Sequence, residues 1–180
     1  WDQGGDWSDS GMNGIRRWLL RIWDLVHKDI SVLNDNLEEH IEKNFVRISH
    51  LTTKKVISDM KAFKFNTSIA TLMEYSTELL RGYNNFRISK NLWKSSIERL
   101  LLHLAPLAPH IAEELWETIG NDFSIHQQSL PKYDDALIIK DTLTIVLQVN
   151  GKVRDTLNIS SPLNEDKVKD LALRSENVKK

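Results

Sequence analysis

Leu147-Gln148-Val149-Asn150-Gly151-Lys152-Val153-Arg154 divides this chain: it reads as a basic β-hairpin that follows a long run of helical periodicity. An Asn-Gly pair between alternating apolar residues is the strongest short-range hairpin signal, because both central positions of a type I′ turn need φ > 0. Leu143, Ile145, Leu147 and Val149 share one face on the way in, and Val153 leads out towards Leu157 and Ile159. Lys152 and Arg154 alternate with that set and are expected on the solvent side. Cations on a rigid hairpin point to a phosphate backbone. The plain alternative is a solvated face on an ordinary hairpin.

Upstream, the spacing of apolar residues is helical. A first helix is expected over 8–36, capped by Ser8 or Ser10, with Ile15, Trp18, Leu19, Ile22, Trp23 and Val26 as one stripe. Gly11 and Gly14, one turn apart at its start, leave room for another backbone. A second helix runs from Leu37 to Phe63 with Leu37, Ile41, Phe45, Ile48, Val56 and Met60 inward. Asn66 is expected to cap a third, which carries Ile69, Leu72, Met73, Leu79 and Leu80 and ends near Gly82. Ser89 starts a fourth with Trp93, Ile97, Leu100, Leu101 and Leu104 inward, and Pro106 stops it. Pro109 opens a fifth, where its missing N–H costs nothing; that helix shows Ile111, Leu115, Trp116 and Ile119 and stops at Gly120. Helices joined by short turns make an antiparallel bundle.

From Asn121 to Lys140 the pattern lapses into a polar connection with Pro131 and Asp134-Asp135, a domain boundary. After the hairpin, Asn164 or Ser161 caps a short helix with Val168, Leu171 and Ala172 inward. The expected fold is mainly α: an antiparallel helix bundle over 1–120, a connection over 121–140, and a small α+β domain with the hairpin over 141–180.

A chain of 180 residues, 41% hydrophobic, can bury a core and hold one large and one small domain. No run approaches the roughly 18 apolar residues that span a bilayer, so a soluble protein with no membrane partner is expected. Without cysteine there is no disulfide framework and no thiolate metal site. A formal net charge of -1 argues against coating nucleic acid by bulk electrostatics, leaving local cation clusters to do any such work. The chain opens at Trp1 without a charged or apolar leader, and an internal fragment is the expectation.

Histidine is the side chain to test for metal or base chemistry near neutral pH. His103 and His110 flank the Pro-rich turn, but the pattern is not His-Glu-x-x-His and no third ligand stands at a metal-site spacing. A structural His103 is the expectation. Glu113-Glu114 are adjacent, about 100° apart on a helix, and so do not converge on one atom. They read as first-turn acids on the helix dipole. Asn66-Thr67-Ser68 and Asn158-Ile159-Ser160 read as a cap and a strand end. No catalytic residue and no metal ligand set is assigned. Arg17 and Arg21, four apart with Arg16 and Lys28 nearby, share one face beside the Trp18–Ile22 stripe. Guanidinium groups so spaced match successive phosphates or ribose edges. The alternative is a solvated face with Asp24 as partner.

Four segments resemble one family. Trp7-Ser8-Asp9-Ser10-Gly11 with Gly14 and Arg17-Trp18-Leu19-Leu20-Arg21 is similar to the segment after the catalytic domain of bacterial-type leucyl-tRNA synthetases. Phe65-Asn66-Thr67-Ser68-Ile69-Ala70-Thr71-Leu72-Met73 is similar to the family's next helix. Leu102 to Trp116, with Ala105-Pro106-Leu107-Ala108-Pro109-His110, resembles its bundle signature, shared loosely with valyl-, isoleucyl- and methionyl-tRNA synthetases. Gln148 to Arg154 resembles the opening of its small C-terminal domain.

The resemblance implies a class I ligase that joins leucine to its tRNA using ATP and Mg, with an editing domain. It also implies that those catalytic parts lie upstream and outside this chain. The residues here would be the anticodon-type bundle and a truncated C-terminal domain, needing no cofactor of their own. The implied partners are leucine-accepting tRNA, touched through stems and shape by Arg17, Arg21, Lys152 and Arg154, and the upstream catalytic domain of a monomer. Its compartment would be the mitochondrial matrix in a eukaryote, the reading that the abundance of Lys, Asn and Ile favours, and otherwise a bacterial cytoplasm. The competing class is a helical protein-interaction module using apolar surface from Trp7, Trp18 and Trp23.

Overall fold

The computed structural model describes residues 9–35, 37–139, 142–160 and 165–174. Two compact units follow one another, Trp1–Ile138 and Ile139–Lys180. No described helix is long and apolar enough to cross a membrane.

The first unit is the expected antiparallel bundle of α1 (Asp9–Val26), α2 (Glu39–Lys61), α3 (Phe65–Asn84), α4 (Lys90–Leu104) and α5 (Pro109–Thr118). Turns at 62–64, 85–89 and 105–108 are too short for any arrangement but antiparallel neighbours. Trp18, Ile22 and Leu25 of α1 share one core with Leu72, Tyr75 and Leu79 of α3 and with Trp93, Leu100, Leu101 and Leu115. Burying each large apolar side chain is worth roughly 1.5–3 kcal/mol.

The first helix ends at Val26, not at residue 36. Asp29 caps a separate 3-10 turn, Ile30–Val32, by accepting the Ser31 amide at 2.9 Å. The inward row of α1 passes through Leu25, whereas Ile15 and Trp23 are exposed. Ser10 lies inside the helix and Ser8 lies outside the described residues. Nothing approaches Gly14. Nor does Asn66 cap α3: the helix begins at Phe65 after Lys64, and Asn66 is exposed in its first turn. α3 ends near Gly82 as expected, at Asn84, but Gly82 itself lies in the helix, buried beneath the Phe45 ring of α2. Ser89 caps α4 as expected, accepting the Leu92 amide at 3.4 Å, and Pro109 opens α5.

Among the described residues, three helices end in the same device. At α5 the Gly120 amide bonds the Glu117 carbonyl and the Asn121 amide the Trp116 carbonyl, with Gly120 at φ +89. This is a Schellman end, which needs one residue in the left-handed region, usually glycine. At α2 the left-handed residue is Phe63 (φ +55), and at α3 it is Phe86 (φ +53). A non-glycine residue is strained there by about 1 kcal/mol.

A polar seam interrupts the core between α2 and α4. Thr53 donates to the Ser49 carbonyl at 3.0 Å, so its single proton is committed. Its oxygen therefore accepts from Arg99 Nη1 at 2.8 Å and from His103 Nε2 at 3.1 Å. That fixes Nε2 as a proton-bearing nitrogen of the His103 ring. Ser49 Oγ meets the buried Tyr75 hydroxyl at 2.7 Å. Paired this way, buried hydroxyls avoid the desolvation cost of roughly 1–3 kcal/mol each.

Residues 121–138, expected as a connection, are packed onto the bundle. Trp116 Nε1 donates to the Asp122 carbonyl at 3.0 Å, and Ile125 is buried. Glu113 is not a first-turn dipole acid; its carboxylate accepts the Ser124 hydroxyl and, at 3.0 Å, the Ile125 amide. Further on, Arg99 Nη1 donates to the Lys132 carbonyl and the Asp134 amide donates to His50 Nδ1. Lys54 then pairs with Asp135 at the start of α6 (Asp135–Ile138).

In the second unit β1 (Thr142–Val149) and β2 (Lys152–Ser160) form an antiparallel hairpin, followed by α7 (Glu165–Arg174). Val168 and Ala172 are half-buried as expected, whereas Leu171 is exposed. Ser161 and Asn164 lie outside the described residues.

Candidate nucleic-acid interface

Helix geometry decides which α1 side chains reach solvent. Trp18, Ile22 and Leu25 face the core, and Trp18 Nε1 donates to Ser76 Oγ at 3.1 Å. Arg17 and Arg21 stand about 100° round the helix from Trp18 and Ile22, and both are exposed. Arg17 Nε donates to the Asn13 carbonyl at 3.3 Å, which leaves its terminal nitrogens outward. Neither arginine makes an ion pair among the described residues, and Asp24 is not their partner. Lys28 lies over the Tyr83 ring at 5.3 Å. The helix therefore presents a cation row with unfilled donors, suited to anionic oxygens. Trp18, being buried, offers no surface to a protein partner; Trp7 lies outside the described residues.

The hairpin turn is as expected, with Asn150 at φ +53 and Gly151 at φ +77. Lys152 and Arg154 are exposed. The alternation around them differs from expectation. Leu147 pairs with Asp155 but Gln148 pairs with Val153, so Arg154 is an extra residue in the strand. A bulge of this kind reverses parity beyond it. Val153 thus stands opposite Gln148 and is 59% exposed, while Lys152 stands opposite Val149. Arg17 and Arg21 belong to the first unit, Lys152 and Arg154 to the second.

His103 and His50 are structural, each held by a hydrogen bond to another part of the first unit. Burial, with the Arg99 charge beside it, holds the His103 pKa down to about 4. Burial likewise lowers that of His50, again with Arg99 contributing. His110 is exposed. Among the described residues no group of His or acidic side chains is arranged to hold a metal.

The end of α3 and the turn after it, Asn84-Asn85-Phe86-Arg87, carry no apolar period that would mark them. Their signal is a bulky residue directly after a helix C-cap. Phe86 is 57% exposed and has no ring partner among the described residues. Arg87 beside it is exposed and makes no ion pair among them.

A family model described as the anticodon-binding domain of tRNA ligase matches residues 42–169. A leucine–tRNA ligase of Dehalococcoides mccartyi is 41% identical over 179 residues, 99% of this chain and 22% of the relative. One from Herpetosiphon aurantiacus is 38% identical over 178 residues, again 99% and 22%. Among solved structures, one that this chain resembles is a crystal structure of the ternary complex of Agrobacterium radiobacter K84 agnB2 LeuRS, tRNA and LeuAMS. It has a TM-score of 0.79 and 27% identity, over 97% of this chain and 23% of that one. The chain spans about a fifth of the length of the curated relatives it matches.

Proposed function

The chain belongs to the family of anticodon-binding domains of tRNA ligases, and from that premise we propose that it is the tRNA-holding part of a leucine–tRNA ligase. The observation that carries this reading is the similarity to leucine–tRNA ligases along 99% of the chain. In this reading Arg17 and Arg21 on α1, and Lys152 and Arg154 on the hairpin, meet phosphates of leucine-accepting tRNA. Such contacts fix position and orientation without reading bases. Activation of leucine with ATP and Mg is the work of an upstream catalytic domain in the same polypeptide, acting as a monomer. The compartment is the mitochondrial matrix in a eukaryote and the cytoplasm in a bacterium.

The test is equilibrium binding of leucine-accepting tRNA to the full polypeptide that carries this chain, over a series of salt concentrations. Affinity should fall linearly on a log–log plot as phosphate counterions are released. These 180 residues alone should show no leucine-dependent exchange of pyrophosphate into ATP. Absent tRNA affinity, or exchange by the isolated residues, would overturn the reading.

A further inference from the structure

Among the described residues one backbone device occurs three times and is filled differently. The Schellman end of α5 has glycine in the left-handed position, whereas α2 and α3 have Phe63 and Phe86 there. Folding gives no reason for either phenylalanine: the backbone is strained by it and the ring remains largely in water. Phe63 is at least engaged, edge-on to Phe65 with ring centroids 6.0 Å apart. Phe86 has no ring partner among the described residues. Its backbone is nonetheless held firmly, by the Arg87 amide on the Gly82 carbonyl at 2.8 Å and its own amide on the Tyr83 carbonyl at 3.1 Å. Around this fixed ring stand exposed Asn84, Asn85 and Arg87.

We infer that the α3–α4 turn is a base-stacking subsite, in which Phe86 takes the face of one unpaired RNA base and Arg87 the neighbouring phosphate. The inference rests on the tRNA-holding reading above and adds a contact to an unstacked nucleotide, beyond duplex backbone. An aromatic face accepts any base, so such a site orders a single-stranded nucleotide without selecting its identity. Strain at an exposed residue is the mark of a group kept for binding rather than for folding.

The decisive variant is Phe86→Gly, in the full polypeptide, because it removes the ring and relieves the backbone together. Its melting temperature should be equal or higher, while affinity for leucine-accepting tRNA drops about ten-fold at constant salt, as expected for one lost stack. The salt slope should stay as in the parent, since stacking releases no counterions, whereas Arg87→Gln should make it shallower. Phe86→Trp should keep the affinity. A tRNA in which 2-aminopurine replaces each unpaired base in turn should be quenched at one position, and Phe86→Gly should abolish that quenching. Unchanged affinity in Phe86→Gly overturns the stacking inference and leaves the ring to a protein surface. An affinity loss that tracks a lower melting temperature overturns it too. Failure of the unmodified polypeptide to bind tRNA at all would instead remove the reading beneath it.

Discussion

The Phe45 ring presses on Gly82 so closely that a methyl group built on that glycine would lie 2.5 Å from the ring's Cζ. The glycine is what lets α2 and α3 approach at this point. Alanine in a helix interior normally gains about 1 kcal/mol over glycine. Here overpacking costs roughly 1–3 kcal/mol, because a buried ring must move to make room. Gly82→Ala should therefore lower stability by about 1 kcal/mol, read from the midpoint of urea unfolding. Phe45→Leu in the same chain should recover most of the loss. A more stable single variant would show that the ring yields freely.

Acid should weaken the bundle before the carboxylates titrate. His103 is held at about 4 against an ordinary 6.5, so the native state binds fewer protons than the unfolded chain in between. Its contribution is complete above pH 6.5 and is lost as pH falls from there towards 4. The gap corresponds to roughly 3 kcal/mol by pH 4. His50, lowered for the same reason, acts in the same direction. His103→Gln, which can still donate to Thr53, should flatten the unfolding midpoints between pH 6.5 and 4. An unaltered pH slope would assign the effect to other groups.

On α1, Arg17→Ala or Arg21→Ala in the full polypeptide should weaken tRNA binding by roughly 1–3 kcal/mol, the range for a charge-assisted hydrogen bond. Leucine activation without tRNA should be nearly unaffected. If activation falls as far as charging, the arginines brace the fold instead.

Gly151→Val puts a β-branched residue at φ +77 and should strain the turn by roughly 1–3 kcal/mol. A slipped hairpin carries its side chains to the other face. tRNA affinity should then fall about as far as in the double variant Lys152→Ala with Arg154→Ala. The double variant should also give a shallower salt dependence. An unchanged slope would mean that these cations do not meet phosphate.

Legibility followed the range of the force involved. Pro109, Gly120, Ser89 and the Asn150-Gly151 turn act on their own backbone, and each stands where its local chemistry requires. The separate turn after α1 rests instead on Asp29 reaching Ser31, a contact that an apolar stripe does not register. Ser49 and Thr53 face inward without apolar character because their partners, Tyr75, Arg99 and His103, come from helices distant in sequence. Gly82 reads as a helix end until Phe45 is seen against it. For the candidate site, Lys152 and Arg154 are exposed although the alternation around them is not the expected one, whereas the exposure of Arg17 and Arg21 followed from helical spacing. The bulge at Arg154 did not, since a strand sequence carries no local mark of one extra residue.

A core made only of leucine and isoleucine accepts more than one stagger of its helices, because apolar ridges fit many grooves about equally well. Thr53 withdraws that freedom. Sliding α2 one turn, about 5.4 Å, past α4 would carry its hydroxyl away from both Arg99 and His103. A partly buried guanidinium and a buried imidazole would lose their acceptor, at a penalty of several kcal/mol. The seam is thus an index pin: it sets how far α2 stands along α4 while adding little to the strength of the joint. Since the same guanidinium also holds the Lys132 carbonyl, one side chain aligns the helices and seats the segment that leads out of the first unit.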